Sequence, residues 1–500
     1  MIFIVITAVL IAFSYDTPAD LSRLTPPRVA LTAMACSIGI AWGLAEAFAR
    51  WTARQLTKPD ANRATVMLRY QRMRWLHAGV LLGSYAGLIH GFDWPGVIRA
   101  TWGLDRWVLV DDLLVLLPIV LGLLLASLAQ FRVDELLRVQ MESMSLHPPR
   151  WRSRWYHVDF QMRHSLGIVL VPLLTLVSIQ DAVGIWFEGS PVRPTLELAA
   201  AIGGLACILV FVPLLLRVLW RAEPLAPGPL RTRLENLSRR LNFRSSDILV
   251  WNTHGAVINA AVAGILPWPR YVLLSDALLT HLTHDEIQAV FGHEVGHVRH
   301  HHLWYFIAFL KGAILFLMLA IAGITPLVER LVGSVAATEV FSVARGLILP
   351  LACLGVYFGL FFGFLSRRFE RQADIFGCRA VSCASSACPD GHSSADVSSG
   401  DPPLCPAGIE IFVRALEKVA VLNGAMRDAR SWRHFSIAKR VAFLRKLAER
   451  PDVERSFQRF VFALKILVLV ALVGGAWYAL RQSPESAPQS THRRATVTSS

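Results

Sequence analysis

The stretch DEIQAVFGHEVGHVRHHHLWYFIAFLKGAILFLMLAIAGITPLV, Asp285 to Val328, joins two kinds of chain with no linker between them. Its first part, Asp285–Val298, has the apolar spacing of an amphipathic helix, with acidic residues in the first turn and Thr283 or His284 in front as a cap. His293 and His297 stand four residues apart, so they project from one helical face and both rings can reach a single metal ion. Glu294 is offset from them, as a base acting on metal-activated water has to be. The second part, Leu303–Val328, is apolar for long enough to cross a bilayer core. The stretch predicts a metal-binding helix set directly against a membrane.

The rest of the chain supports the membrane half of that reading. Of 500 residues, 54% are apolar and 17% charged, and mean hydropathy is +0.46. These values exclude a disordered, a fibrous and a wholly soluble chain. Further apolar runs are Val29–Phe48, Leu76–Phe92, Val108–Phe131, Leu166–Phe187, Leu198–Trp220, Arg345–Leu365 and Phe460–Leu480. Met1–Ser14 is one more, short run. It lacks a basic leader and an Ala-x-Ala site, and reads as an anchor rather than a cleaved signal. The net charge of +14 does not require nucleic acid, because basic cytoplasmic loops account for it. Ala49–Trp75 carries seven Lys/Arg and Arg132–His164 six, whereas the alternate loops carry one or two. That alternation places the N-terminus, Arg221–His302 and Ser366–Arg459 in the cytoplasm and Arg481–Ser500 outside.

Two soluble segments therefore share one membrane face, split by a transmembrane hairpin. Leu230–Leu241 has helical spacing, and Asp247–Asn252, Asn259–Leu266 and Tyr271–Leu274 read as short strands. Ile409–Val421 and Ile437–Leu447 read as amphipathic helices. The expected division is a multi-span region over 1–220, a first catalytic half over 221–302 and a hairpin over 303–366. A second catalytic half over 367–458, a last span over 459–480 and a disordered tail over 481–500 follow.

A bare His-Glu-x-x-His pattern would arise by chance roughly 0.02 times in a chain of this composition, so it needs a partner. A tetrahedral catalytic zinc takes three protein ligands and keeps one position open. Glu370, within Arg368-Phe369-Glu370-Arg371-Gln372-Ala373-Asp374, offers the third donor. It opens the second soluble segment just as His297 closes the first, so the hairpin returns it to the same face. Asp374, one turn further on, suits a carboxylate holding a ligand imidazole by its other N–H.

With these residues in place, the chain resembles the integral-membrane zinc endopeptidases of the HtpX and CAAX prenyl protease type, a gluzincin family. The order of elements is the same: Asn259-Ala260 then Gly264, the helix of His293–His297, a transmembrane hairpin, Glu370 and Asp374, and finally His434 and Arg440. The similarity runs from about Arg231 to Leu447, while the first 220 residues match only in being multi-span. The resemblance implies one Zn2+ per chain on His293, His297 and Glu370, with Glu294 as general base and His434 as oxyanion donor. It also implies Arg440 set against Asp374, and Asn259 and Ala260 in an edge strand that takes extended substrate as an added strand. The implied fold class is a multi-span α-helical membrane protein of about eight or nine transmembrane helices, with a cytoplasmic, mainly α zincin-like domain carrying a small β-sheet. The implied location is a bacterial inner membrane. Expected partners are a polypeptide substrate and the lipid bilayer, without nucleic acid; oligomeric state is left open. The expected function is hydrolysis of peptide bonds in membrane-associated or unfolded proteins. The alternatives are a prenyl-CAAX processing protease and a non-catalytic membrane scaffold or transporter keeping a protease fold.

Other residues invite a functional reading but have plainer ones. His300, His301 and His302 read as a solvated patch at the mouth of the next span, and Lys311 as a snorkelling or bundle-paired cation. Asp111, Asp112 and Asp181 read as interfacial. Cys378, Cys383, Cys388, His392 and Cys405 border or occupy an inserted Ser/Gly/Asp/Pro-rich stretch over 381–406. Their spacing lacks the Cys-x2-Cys pairs of ordinary zinc sites, so a loop with reduced thiols is expected, with a second metal or a redox clip as the alternative.

Overall fold

A computed structural model describes residues 2–15, 24–143, 153–255, 257–332, 349–382, 404–422 and 435–482. The chain divides into two compact units, Met1–Thr232 with Arg244–His281, and Arg233–Phe243 with Leu282–Ser500. Among the described residues, seven helices are long and apolar enough to cross a membrane. The protein is a multi-pass, mainly helical membrane protein, and its described residues include a small four-stranded sheet.

The first unit holds Pro27–Leu56, Val110–Leu137, Arg154–Trp186 and Arg193–Leu219. The first apolar run forms the short helix Ile2–Phe13. The expected run Leu76–Phe92 does not stand among the seven: its helix starts at Arg63, carries Arg69, Arg72 and Arg74, and ends in a wider turn at Gly87–Gly91. Asp111 and Asp112 are drawn inward against Arg99, at 2.7 and 2.9 Å.

The sheet also belongs to this unit. Its strands β1 (Glu223–Pro224), β2 (Asp247–Trp251), β3 (Ala260–Ala263) and β4 (Tyr271–Ser275) lie in the order β1-β2-β4-β3. β2 and β4 run parallel, with Asp247 opposite Tyr271, and β3 runs antiparallel to β4, with Ala260 opposite Leu274. Every residue of β4 is buried, which is why its sequence shows a continuous apolar run rather than alternation. Among the described residues β3 lies at the edge of the sheet, where the family resemblance puts an edge strand. Asn259 precedes it: its N–H donates to Ser275 Oγ and its carbonyl accepts from the Ser275 N–H, both at 3.0 Å.

In the second unit, α1 (Pro229–Arg240) contributes its residues from Arg233 onward. It is followed by α2 (His284–Arg299), α3 (His302–Val332), α4 (Gly363–Val381), α5 (Pro406–Leu422), α6 (Ile437–Glu449) and α7 (Pro451–Gln482). A capping box starts α2. Thr283 Oγ1 accepts from the Glu286 N–H, and the Glu286 carboxylate accepts from the Thr283 N–H at 2.8 Å. Burial opposes the charge on Glu286, yet the Thr283 N–H and Lys418 hold its carboxyl below the ordinary range.

The chain preceding α4 is helical from Leu349 and passes through a wider turn at Tyr357–Phe362 into Gly363–Val381. Leu365, the expected end of the span, lies inside this rod. Glu370 and Asp374 therefore ride on the same helix as the apolar residues before them. Apolar residues at three- and four-residue spacing on α5 (Ile409, Phe412, Val413, Leu416) and α6 (Val441, Leu444, Leu447) meet Ala289 and Ile375 to form the core of this unit.

Candidate metal centre

Helices α2 and α4 approach closely because small residues line their contact. An added methyl at Gly292 would collide with Ala380 Cβ, and one at Gly296 would lie 3.0 Å from Phe376 Cβ. From the other side, a methyl at Gly377 would lie 3.0 Å from the Ala289 carbonyl oxygen. This close packing brings the carboxylates of α4 to the imidazoles of α2. In an open helix Gly→Ala stabilises by roughly 0.5–1 kcal/mol. At Gly292 the opposite sign is expected, a loss of about 1–3 kcal/mol from overpacking. Gly359→Ala serves as the control, since a methyl there meets nothing within 4 Å. Comparing denaturation midpoints of the two variants checks this; a Gly292→Ala chain at least as stable as the parent would refute it.

The three donors converge. His293 Nε2 and His297 Nε2 are 3.3 Å apart. Glu370 Oε2 lies 3.9 Å from His293 Nε2, and Oε1 lies 3.8 Å from His297 Nε2. Tetrahedral bonds of about 2.0–2.2 Å put neighbouring ligand atoms roughly 3.3–3.6 Å apart. The imidazole pair thus already has the spacing of two corners, and Glu370 stands a few tenths of an ångström beyond the third. The nitrogen–nitrogen–oxygen set fits a zinc ion.

Behind these donors lies a buried ionic layer. Asp374 is fully buried, and its carboxylate is gripped by Arg440, Nε to Oδ2 at 2.8 Å and Nη2 to Oδ1. Arg440 sits on the buried stripe of α6 beside Val441 and Leu444, a place for an apolar residue unless a counter-charge is at hand. Its Nη1 also stands 3.7 Å from Glu370 Oε2. His293 Nδ1 is 3.0 Å from Asp374 Oδ1, close but too bent for an aligned hydrogen bond. Burial disfavours a charged His293, but the Asp374 carboxylate overrides it and holds the ring above its usual pKa, with Glu294 and Glu370 adding to the effect. Burial, then the neighbouring His293, pushes His297 down to about 4. A site with this negative field and one firmly neutral imidazole favours a cation.

The structure corrects the solvated-patch expectation for the histidine run. His301 is exposed, but His302 is wholly buried and its Nδ1 lies 2.9 Å from His297 Nδ1. The cause is the backbone of His301, at φ 59, which breaks the helix between α2 and α3 and turns His302 inward. No 3.6-residue period carries that reversal, so sequence reasoning missed His302. It missed Gln372 too, whose Oε1 lies 3.0 Å from His302 Nε2.

The remaining expected residues fall elsewhere. His434 lies outside the described residues. The next residue, Phe435, has the Arg371 guanidinium 4.1 Å from its ring centre. Asn259 and Ala260 belong to the first unit, at the sheet edge described above. Cys383, Cys388 and His392 are outside the described residues, while Cys378 and Cys405 are both buried.

Residues 224–445 match the model of Peptidase family M48. A stretch of 89 residues is 35% identical to a Schizosaccharomyces pombe protein described as "Probable CAAX prenyl protease 1", covering 17% of this chain and 18% of that protein. The chain thus matches under a fifth of the length of this curated relative. Among solved structures, "Crystal Structure of S. mikatae Ste24p" aligns with 84% of this chain and 100% of that one, at 15% identity and a TM-score of 0.40.

Proposed function

We propose, for a chain that carries a Peptidase family M48 domain of the HtpX and CAAX protease type over residues 224–445, a membrane-embedded zinc metalloendopeptidase acting on membrane-associated or unfolded polypeptides. The observation that carries this reading is the convergence of His293, His297 and Glu370, with ligand atoms within 4.8 Å of one another.

In this reading those three residues hold one zinc ion per chain. Bound zinc supplies Lewis acidity toward the scissile carbonyl and toward water. The Glu294 carboxylate takes the proton from the attacking water and passes it to the leaving amine. His434 donates to the oxyanion. Asp374 orients His293 through Nδ1, and Arg440 holds both Asp374 and Glu370 in place. Asn259 and Ala260 present the edge of β3 to extended substrate as an added strand.

The catalytic halves, 221–302 and 367–458, flank the hairpin 303–366 and face the cytoplasm, on the strength of the Lys/Arg excess in the loops of that side. The multi-span region 1–220, the last span 459–480 and the tail 481–500 complete the division, and a bacterial inner membrane is the location this reading proposes.

The name of the Schizosaccharomyces pombe relative favours a second substrate class, prenylated CAAX polypeptides. Both classes can be tested together with the full chain in lipid nanodiscs, before and after chelation. The expected result is one zinc per chain and cleavage of unfolded protein that stops on chelation and returns with zinc. Cleavage confined to a prenylated CAAX peptide selects the second class. A chain without zinc that leaves both substrates intact is a scaffold, and the enzyme reading falls.

A further inference from the structure

A histidine that binds metal through Nε2 must carry its proton on Nδ1, and a neighbour has to enforce that choice. For His293 the neighbour is Asp374. For His297 it is His302, an imidazole that could donate or accept. We propose that membrane helix α7, through Lys465, Gln372 and His302, sets the tautomer of His297; the proposal rests on the zinc reading above.

The logic follows one proton at a time. A lysine ammonium has donors and no acceptor. Lys465 Nζ lies 2.8 Å from the His300 carbonyl oxygen and 3.1 Å from Gln372 Oε1, so an oxygen of the Gln372 amide must face it. The amide nitrogen then points the other way and donates to Gln458 Oε1 at 2.5 Å, again on α7. Two residues of one membrane helix thus fix the amide against a flip.

Because the Gln372 oxygen is also the atom facing His302 Nε2, at 3.0 Å, that nitrogen must donate and carries the proton. The lone pair of the neutral His302 ring is then on Nδ1, 2.9 Å from His297 Nδ1, which must donate in turn. The lone pair of His297 is left on Nε2, the atom 3.3 Å from His293 Nε2 and 3.8 Å from Glu370 Oε1. A flipped Gln372 amide would reverse every step and leave an N–H aimed at the metal position.

The relay is rigid and dry. His302 is wholly buried, with its ring stacked on Phe369 at 4.2 Å and 4°. Gln372 and Lys465 are 5% and 8% exposed. An ionisable residue within an apolar membrane helix is costly and persists where it is paired inside the bundle; here its partners are the groups that define the relay.

The test uses the full chain in nanodiscs, with zinc dissociation constants from competition with a chromogenic chelator and the visible absorption of the Co2+-substituted protein. His302→Leu is expected to weaken zinc by about 10–100-fold. His302→Asn, whose Oδ1 accepts from the His297 Nδ1–H, is expected to recover most of that affinity. Lys465→Met, remote from the metal, frees the Gln372 amide and is expected to weaken zinc in the same direction and to shift the Co2+ bands. If His302→Leu does not fold, Lys465→Met decides alone. Parent-like zinc affinity and Co2+ bands in Lys465→Met overturn the relay while leaving the zinc reading intact; a parent chain that takes up no zinc removes both.

Discussion

A full chain carrying Glu294→Gln is expected to hold zinc nearly as tightly as the parent and to cleave unfolded protein about 10²–10⁴-fold more slowly, the range a positioned general base contributes. Glutamine keeps the length and shape of the side chain and loses only the ability to take a proton. Glu294 sits one residue after His293 on α2, half-buried and off the face that carries the two imidazoles, so the exchange leaves His293, His297 and Glu370 where they are. Its charge is felt at both His293 and Arg440. Its charge therefore contributes to the same negative field as Glu370 and Asp374. The decisive comparison is kcat/KM on a labelled unfolded protein beside zinc stoichiometry on the same preparation. Unchanged turnover removes Glu294 from the reaction. Loss of zinc together with turnover reassigns it to metal retention.

How far such a site can be read from sequence depends on the range of the constraint. His293 and His297 are readable because their geometry is local: four residues on a helix fix one face, and the capping box at Thr283 and Glu286 marks where that helix begins. Glu370, Asp374 and Arg440 become readable only through the order of several elements, since nothing local says that a carboxylate beyond a hairpin returns to the same cation. What stayed hidden belongs to tertiary structure. Gly292, Gly296 and Gly377 look like ordinary helix glycines until the α2–α4 contact gives each a neighbour that a methyl would strike. His302 is masked by two adjacent histidines and by a left-handed residue that no period predicts. Lys465 looks like a misplaced charge in an apolar run until Gln372 is brought against it. The fold shows the same divide. Strand positions follow from apolar runs between Gly and Pro, but the parallel pairing of β2 with β4 joins segments that sequence proximity does not pair.

Asp374→Ala is expected to lower folding stability by about 3–5 kcal/mol, because it leaves the Arg440 guanidinium buried without its main counter-charge. It is also expected to weaken zinc by about 10–100-fold, the usual effect of losing a carboxylate behind a ligand imidazole. Two causes act on the metal. His293 loses the group that faces its Nδ1, 3.0 Å away. Arg440, already 3.7 Å from Glu370 Oε2, gains reason to turn fully onto Glu370 and draw that carboxylate off the metal. A paired change separates the structural role from the metal role. Replacing both charges with apolar groups of similar size, Asp374→Leu with Arg440→Met, removes the stranded cation and is expected to return stability to near the parent value, as buried ion pairs commonly allow. Zinc affinity is not expected to return with it, since neither His293 nor Glu370 regains its neighbour. Chemical denaturation and chelator competition on the same samples read the two quantities apart. A double variant that regains parent zinc affinity along with stability would mean that the Asp374–Arg440 pair only fills space in the core, and that His293 needs no carboxylate to point it at the metal.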